Sequence, residues 1–419
     1  VSKVDFIDIL ASFANMNILL VFGICLMFGV LGGMIANRIT WMPTITAFML
    51  LGFIIGPYGL GLISKRMMAD SGVFIEIALG LILYKLGNML HLKAMLRSRR
   101  LMMLALAEST LSFAAVAWAG VFLGLPLLVA GAIAAISVSS SPAVLVHVAE
   151  EMRAKGPVSD RAKSLVAINN LVAFILFSAL MPFMIAGGEK TLSAVIGFPL
   201  YRLAGALFAG VVIAWVAARI TRMLGPHDEH YRFAIVIGAV MMVMGVCKTI
   251  GASALLAPLI LGVAIRSFET SRHNLSKVGL GEGGDLFFIV LFVMAGAKIN
   301  IAELYDVAAI AVILVVVRSL AKAAGIYGAG AINKMDLKQS GAISMMLLPM
   351  AGMAIGLVTT THRLAPEVSE SLATIVFAMV AIFETIGPIL VARALKMTGE
   401  AGRMDDKSGD GQAGQEPLP

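Results

Sequence analysis

Charge is scarce in this 419-residue sequence: Asp, Glu, Lys and Arg make up 14% of it, where soluble domains carry about 25%. That excludes an ordinary water-soluble globule, because too few charged side chains are available to clothe its surface. Cysteine is nearly absent. Cys25 and Cys247 each stand inside an apolar run and read as small buried hydrophobes, which excludes a disulfide framework or a thiolate metal site. Nothing in the sequence suggests an enzyme, a nucleotide or a prosthetic group, so no catalytic residue, metal or cofactor is expected. The basic surplus of +7 is no nucleic-acid footprint either. Its residues sit in short loops between apolar runs, where they set membrane orientation, and no nucleic-acid partner is expected.

What fills the chain is apolar. Hydrophobic residues reach 59% and mean hydropathy is +0.95, the composition of an all-α polytopic membrane protein with lipid as its surroundings. A bilayer core needs roughly 20 residues per helix, and the runs between charged or Gly/Pro loops number about thirteen. They extend from Ile18–Ala36 and Pro43–Leu62 to Gly341–Thr359 and Leu372–Leu395. The first is long enough to stay as a span, so no cleavable signal peptide is expected. Residues 398–419 are polar and Gly-rich and predict a disordered tail. Basic clusters such as Arg97, Arg99 and Arg100, or Arg153, Lys155, Arg161 and Lys163, follow odd-numbered spans. The positive-inside rule then predicts a multi-pass cell-membrane protein, N-terminus outside and tail cytoplasmic.

Two of the runs are interrupted. The fifth, Leu125–Val148, carries Ser137, Ser139, Ser140, Ser141 and Pro142 in its middle, and the twelfth carries Pro349 and Gly352. Lipid cannot satisfy the backbone groups such breaks release, so they belong where the chain lines a protein cavity. The two runs start on opposite sides of the membrane, which points to an inverted-repeat transporter with its site near the midplane. Simple proline kinks are the alternative reading.

Few ionisable groups lie deep in the spans. Lys85, Lys248 and Lys298 sit close enough to span ends to reach the interface. Arg318 and Lys322 do not, and their spacing of four puts two cations on one helix face, where they require compensation. Glu384 and Glu108 are the candidate counter-charges, and His147 is a candidate proton group, though a lone His on an apolar face is commonly structural. Asn169 and Asn170 lie in the sixth span at about the depth of Lys322. Successive side chains diverge by about 100°, so one of the two amides can face the interior.

At these residues the sequence resembles the monovalent cation:proton antiporters, the sodium/hydrogen exchanger-like superfamily. GAIAAISVSSSPAVLVHVAEEMRAKGPVSDRAKSLVAINNLVAFILF is similar to the family's crossover helix, loop and ion-binding helix. VVVRSLAKAAGIYGAG resembles its helix with a midmembrane basic residue, and LLPMAGMAIGL its second crossover helix. NRITWMPTITAFMLLGFIIGP and FETIGPILVARALKMTGEA are also similar.

The resemblance implies an inverted-repeat sodium/proton antiporter fold over residues 1–397, about thirteen spans, and a homodimer. A mobile core, around 72–186 and 285–360, would move against a dimerisation scaffold around 18–62, 192–266 and 372–396. In the family the site uses crossover polar groups and an Asp-Asp or Asn-Asp pair. Here that pair matches Asn169 and Asn170, so no carboxylate stands at either position, and Lys322 lacks the acidic partner the family supplies. An amide offers a carbonyl oxygen but neither a negative charge nor an exchangeable proton.

Three readings follow. One keeps exchange of a small monovalent ion for protons at an atypical site of Ser139, Ser140, Ser141, Asn169, Asn170, Arg318 and Lys322, with Glu384, Glu108 or His147 taking the acidic role, or Lys322 carrying the proton. Another is an anion or neutral-solute transporter using Arg318 and Lys322. The third is a transport-inactive sensor or regulatory subunit.

Overall fold

The computed structural model describes residues 18–39, 42–64, 67–68, 72–90, 97–184, 192–223, 229–268, 281–297, 299, 301–364 and 366–403. Lys298, and the tail beyond Arg403, lie outside the described residues. No strand occurs among them. In chain order the helices are α1 (Ile18–Arg38), α2 (Thr44–Ile55), α3 (Gly72–Met89), α4 (Arg99–Phe122), α5 (Leu127–Val138), α6 (Pro142–Glu151), α7 (Pro157–Met184) and α8 (Leu192–Thr221). They continue as α9 (Glu229–Thr249), α10 (Leu256–Phe268), α11 (Gly281–Ala297), α12 (Ile301–Ile332), α13 (Leu337–Met346), α14 (Gly352–Leu364) and α15 (Pro366–Thr398). Nine described helical segments are long and apolar enough to cross a membrane, counting Leu127–Glu151 as one. Phe122, Phe208, Trp215 and Leu320 are exposed on their outer faces, as suits contact with lipid rather than water.

Local chemistry sets the ends. Ser98 caps α4, its hydroxyl accepting from the Leu101 N–H, and Gly124 (φ +83°) turns the chain from α4 into α5. The second apolar run is shorter as a helix than its composition suggests: α2 stops at Ile55 because Gly56 and Pro57 follow it.

Packing falls into two groups. In one, α2 lies on α11 while α3 lies on α10 and α11, and α8 lies on α10. Gly52 is needed there, since a Cβ on it would stand 1.9 Å from the Val293 carbonyl oxygen of α11. The GALFAG segment also packs within the chain, with Gly205 against Ala252 and Gly210 against Ile260 of α10. In the other group α4 lies along α12 and α5, α5 lies on α7, and α15 packs on α12, α13 and α14.

The groups meet where α7 packs on α8 and α2 on α15, and side chains join them at the end of α6. Lys85 of α3 pairs with Glu150 at 2.5 Å, and the Glu151 carboxylate accepts from the Thr44 N–H (3.1 Å) and hydroxyl, capping α2. Lys248 pairs with Glu76 rather than simply reaching the interface.

The chain end corrects one expectation. Residues 399–403 are not a loose tail: Glu400 is buried, and its two carboxylate oxygens accept from the Val158 and Ser159 N–H groups at 2.7 and 2.8 Å. It thereby caps α7 from the far end of the sequence, where a helix N-terminus favours negative charge. Lys155 N–H donates to the Glu400 carbonyl (3.1 Å), and Gly402 N–H to that of Met152 (3.0 Å), which completes the clasp.

Candidate functional site

The serines and prolines of both interrupted runs end helices outright instead of kinking them. α5 stops at Val138 and α6 starts at Pro142, while residues 347–351 separate α13 from α14. Ser139 and Ser141 are extended, and Ser141 caps α6, its hydroxyl accepting from the Val144 N–H (3.3 Å) with Pro142 in the first turn. The Ser141 N–H donates to the Pro349 carbonyl at 2.7 Å, so the two gaps touch.

Many of the backbone groups freed there can be followed to a partner, as burial requires. Arg318 donates from Nε to the Ser137 carbonyl, from Nη2 to that of Ser139 and from Nη1 to that of Leu348, each at 2.7 Å. Its guanidinium lies 4.4 Å from the centre of the Phe383 ring. The Ser140 hydroxyl donates to the Leu347 carbonyl (2.7 Å), and the Ser140 N–H to Asn170 Oδ1 (3.2 Å). Ser139 spends its hydroxyl on the Ile136 carbonyl (2.7 Å). Arg318 therefore closes the carbonyl ends of α5 and α13, where the helix dipoles put partial negative charge. It is a clamp on the backbone, fully buried, and not the substrate-facing cation the sequence allowed.

Lys322 is also fully buried, and of the two candidate counter-charges it is Glu108 that meets it. Its ammonium meets the Glu108 carboxylate of α4, which is equally buried, and donates to the Val138 carbonyl at 2.9 Å and the Ser140 hydroxyl at 3.4 Å. The acid missing from the asparagine pair arrives from another helix. Gly325 makes this approach possible: a Cβ on it would lie 2.5 Å from Glu108 Cα, so only glycine lets α12 come so close to α4.

Ser109, which the sequence reading did not single out, links the acid to the amides. Its hydroxyl is 3.3 Å from Asn169 Oδ1 and 3.4 Å from Glu108 Oε2. The two asparagines differ: Asn170 has its oxygen committed to a backbone N–H, whereas Asn169 shares its oxygen only with a hydroxyl that can turn away. Both amide nitrogens and the buried hydroxyls of Ser112 and Ser137 have no hydrogen-bond partner among the described residues. Adjacency to Glu108 was the only available signal for Ser109.

The other expected groups lie apart. His147 packs against Phe288 and Phe292 of α11, with ring centres 5.1 and 6.4 Å away. Glu384 lines a small pocket with Ala143, Ala351 and Gly352, at the starts of α6 and α14, the opposite helix ends from those the basic residues close. Gly352 packs on Leu79 and Pro349 on Gly387. No cluster of His, Cys, Asp or Glu suited to a metal occurs among the described residues. A cavity of about 520 Å³, lined by Glu76, Lys248, Leu79, Ile355 and Phe174, approaches from one face. Phe174 stands one helical turn from Asn170.

A family model described as sodium/hydrogen exchanger, transmembrane, matches residues 18–395. The chain belongs to the sodium/hydrogen exchanger family. Exchangers of this family are membrane transporters of the cation:proton antiporter type and not enzymes. Among its relatives is the probable Na(+)/H(+) antiporter 3 of Methanocaldococcus jannaschii, 23% identical over 369 residues, covering 84% of this chain and 90% of the relative. The fold matches the sodium proton antiporter MjNhaP1 of the same organism at pH 8, with a TM-score of 0.70 and 20% identity over 93% of this chain and 98% of that one. A further structure of MjNhaP1, an electron-microscopy map, matches at TM-score 0.71 and 18% identity, covering 96% and 100%. In this exchanger the breaks, the basic residues and the carboxylate of Glu108 converge at one buried place.

Proposed function

We propose that this exchanger carries a monovalent cation, sodium by likeness to its relatives, against protons, and that Glu108 and Lys322 are the exchanging pair. The observation that carries the reading is their buried contact, with Asn169 joined to Glu108 through Ser109. An entering cation takes the place of the Lys322 ammonium on Glu108. It finds oxygen from the carboxylate, from Asn169 and from the Ser109 hydroxyl, all hard ligands. The displaced ammonium then stands near Arg318 without a counter-charge in a dry site, and release of its proton restores neutrality. A returning proton on Lys322 expels the cation. Since one charge replaces another at the pair, one cation exchanges for one proton without net charge movement.

Alternating access fits relative motion of the two packing groups. The carrier would comprise α4–α7 and α12–α15, with both broken helices; the scaffold would comprise α1–α3 and α8–α11. This division follows packing, and it exchanges α3 and α11 for α15 relative to the one expected from resemblance. A homodimer and an outside N-terminus belong to the same reading, the latter supported by loop charge.

The test is exchange in liposomes with a pH-sensitive dye. A sodium or potassium gradient should drive proton movement in the native protein, and Glu108→Gln should abolish it. Undiminished exchange in Glu108→Gln would remove Glu108 from the mechanism.

A further inference from the structure

A second cavity, of about 570 Å³, opens between the end of α3, the starts of α4 and α7, and the turn from α12 to α13. The exchange mechanism makes no use of it. Its charged lining is Arg100, Asp160, Arg161, Lys163, Lys334 and Asp336, four cations facing two carboxylates.

One carboxylate is paired, Asp160 with Lys163, and the remaining cations are not ion-paired among the described residues. Among the described residues Arg100 and Lys334 make no side-chain hydrogen bond or ion pair. Arg161 Nη1 rests at 3.2 Å on the neutral Gln339 Oε1, with Met335 Sδ at 3.9 Å. Lys163 Nζ is 3.7 Å from Asp160 Oδ1, beyond hydrogen-bond length, although its side chain is only 11% exposed. Asp336 precedes α13 without capping it by its side chain, so the N–H groups of that first turn remain available beside the cavity.

We infer that this cavity is a binding site for a phosphate-bearing anion. Cations converge on it from three separate elements, two of them forked guanidinium groups, together with an uncapped helix start; this is the chemistry that holds phosphate oxygens. Its volume falls within the roughly 300–1,000 Å³ of small-molecule sites and exceeds what a simple inorganic anion fills. The phosphate can belong to a soluble phosphomonoester or to a lipid headgroup, since both present the same oxygens. Binding stands independently of the exchange reading. Its consequence rests on that reading: an occupant would tie the end of α3 to α7, which carries Asn169 and Asn170, and so slow exchange.

The experiment measures the melting temperature of the purified full chain. One arm adds inorganic phosphate or AMP to protein in phosphatidylcholine nanodiscs, against chloride at equal ionic strength. The other compares nanodiscs with and without phosphatidylinositol 4-phosphate. A rise in the first arm identifies a soluble ligand, and a rise only in the second a headgroup. Either should weaken about tenfold or more in the double variant Arg100→Gln/Arg161→Gln, a change of about 1.4 kcal/mol or more. Asp160→Asn, which removes a competing carboxylate, should strengthen it. No rise in either arm, or a rise indifferent to both variants, overturns the proposal.

Discussion

The Lys322 ammonium and the Glu108 carboxylate, 214 positions apart in sequence, meet in a place that water does not reach. Around them the two interrupted helices are closed by side chains and by one another.

Loss of one partner should therefore be worse than loss of both. Glu108→Gln or Lys322→Gln leaves a buried charge alone and should cost about 3–5 kcal/mol, while the double variant should recover much of that. Thermal unfolding of the three variants in one detergent measures the coupling. Simple additivity would mean that the two groups do not interact.

Arg318→Lys keeps the charge but has one point of donation where the guanidinium reaches three carbonyls. Stability and exchange should both fall, and they should fall further in Arg318→Gln, which also loses the charge at the helix C-termini. If Arg318→Lys matches the native protein in both measurements, the clamp is not what holds the breaks.

Glu400 should matter to a helix it does not adjoin in sequence. Glu400→Ala removes both acceptors from the start of α7, and a lost cap costs about 0.5–2 kcal/mol. Hydrogen exchange at Val158 and Ser159 should quicken by roughly tenfold per 1.4 kcal/mol, with little change inside α4. Glu400→Gln, retaining one good acceptor, should fall between the two.

Relative motion of the packing groups can be stopped at their junction. Thr44 and Glu151 touch across it through the full length of the Glu151 side chain, so Thr44→Cys/Glu151→Cys, bridged by a short bis-methanethiosulfonate reagent, should halt exchange in liposomes and regain it on reduction. Cys25 and Cys247 are buried and should not interfere. Unchanged exchange with the bridge formed would mean that α2 and α6 do not separate during transport.

Asn170→Asp should alter coupling, not create it. The aspartate can still accept from the Ser140 N–H, and it adds a negative charge to a pair that otherwise conserves charge. Exchange should then respond to membrane voltage, read with a potassium-ionophore clamp, whereas the native protein should not respond.

Composition and local pattern were enough to show that the chain is helical, lies in a membrane, and breaks two runs at Ser139–Pro142 and near Pro349. The reason is that lipid solubility, helix length and the missing N–H of proline are properties of neighbouring residues. Family membership was legible from the same stretches. What the sequence could not show was which of Glu108 and Glu384 answers Lys322, because the two buried charges attract only when α4 and α12 lie together, and Gly325 permits that without announcing it. The same holds for Glu400, which looked like part of a solvated tail until the fold brought the end of α15 back to the start of α7. Arg318, too, looked like a cation in search of an anion, when the negative charge awaiting it was spread over the carbonyl ends of two helices that meet only in three dimensions.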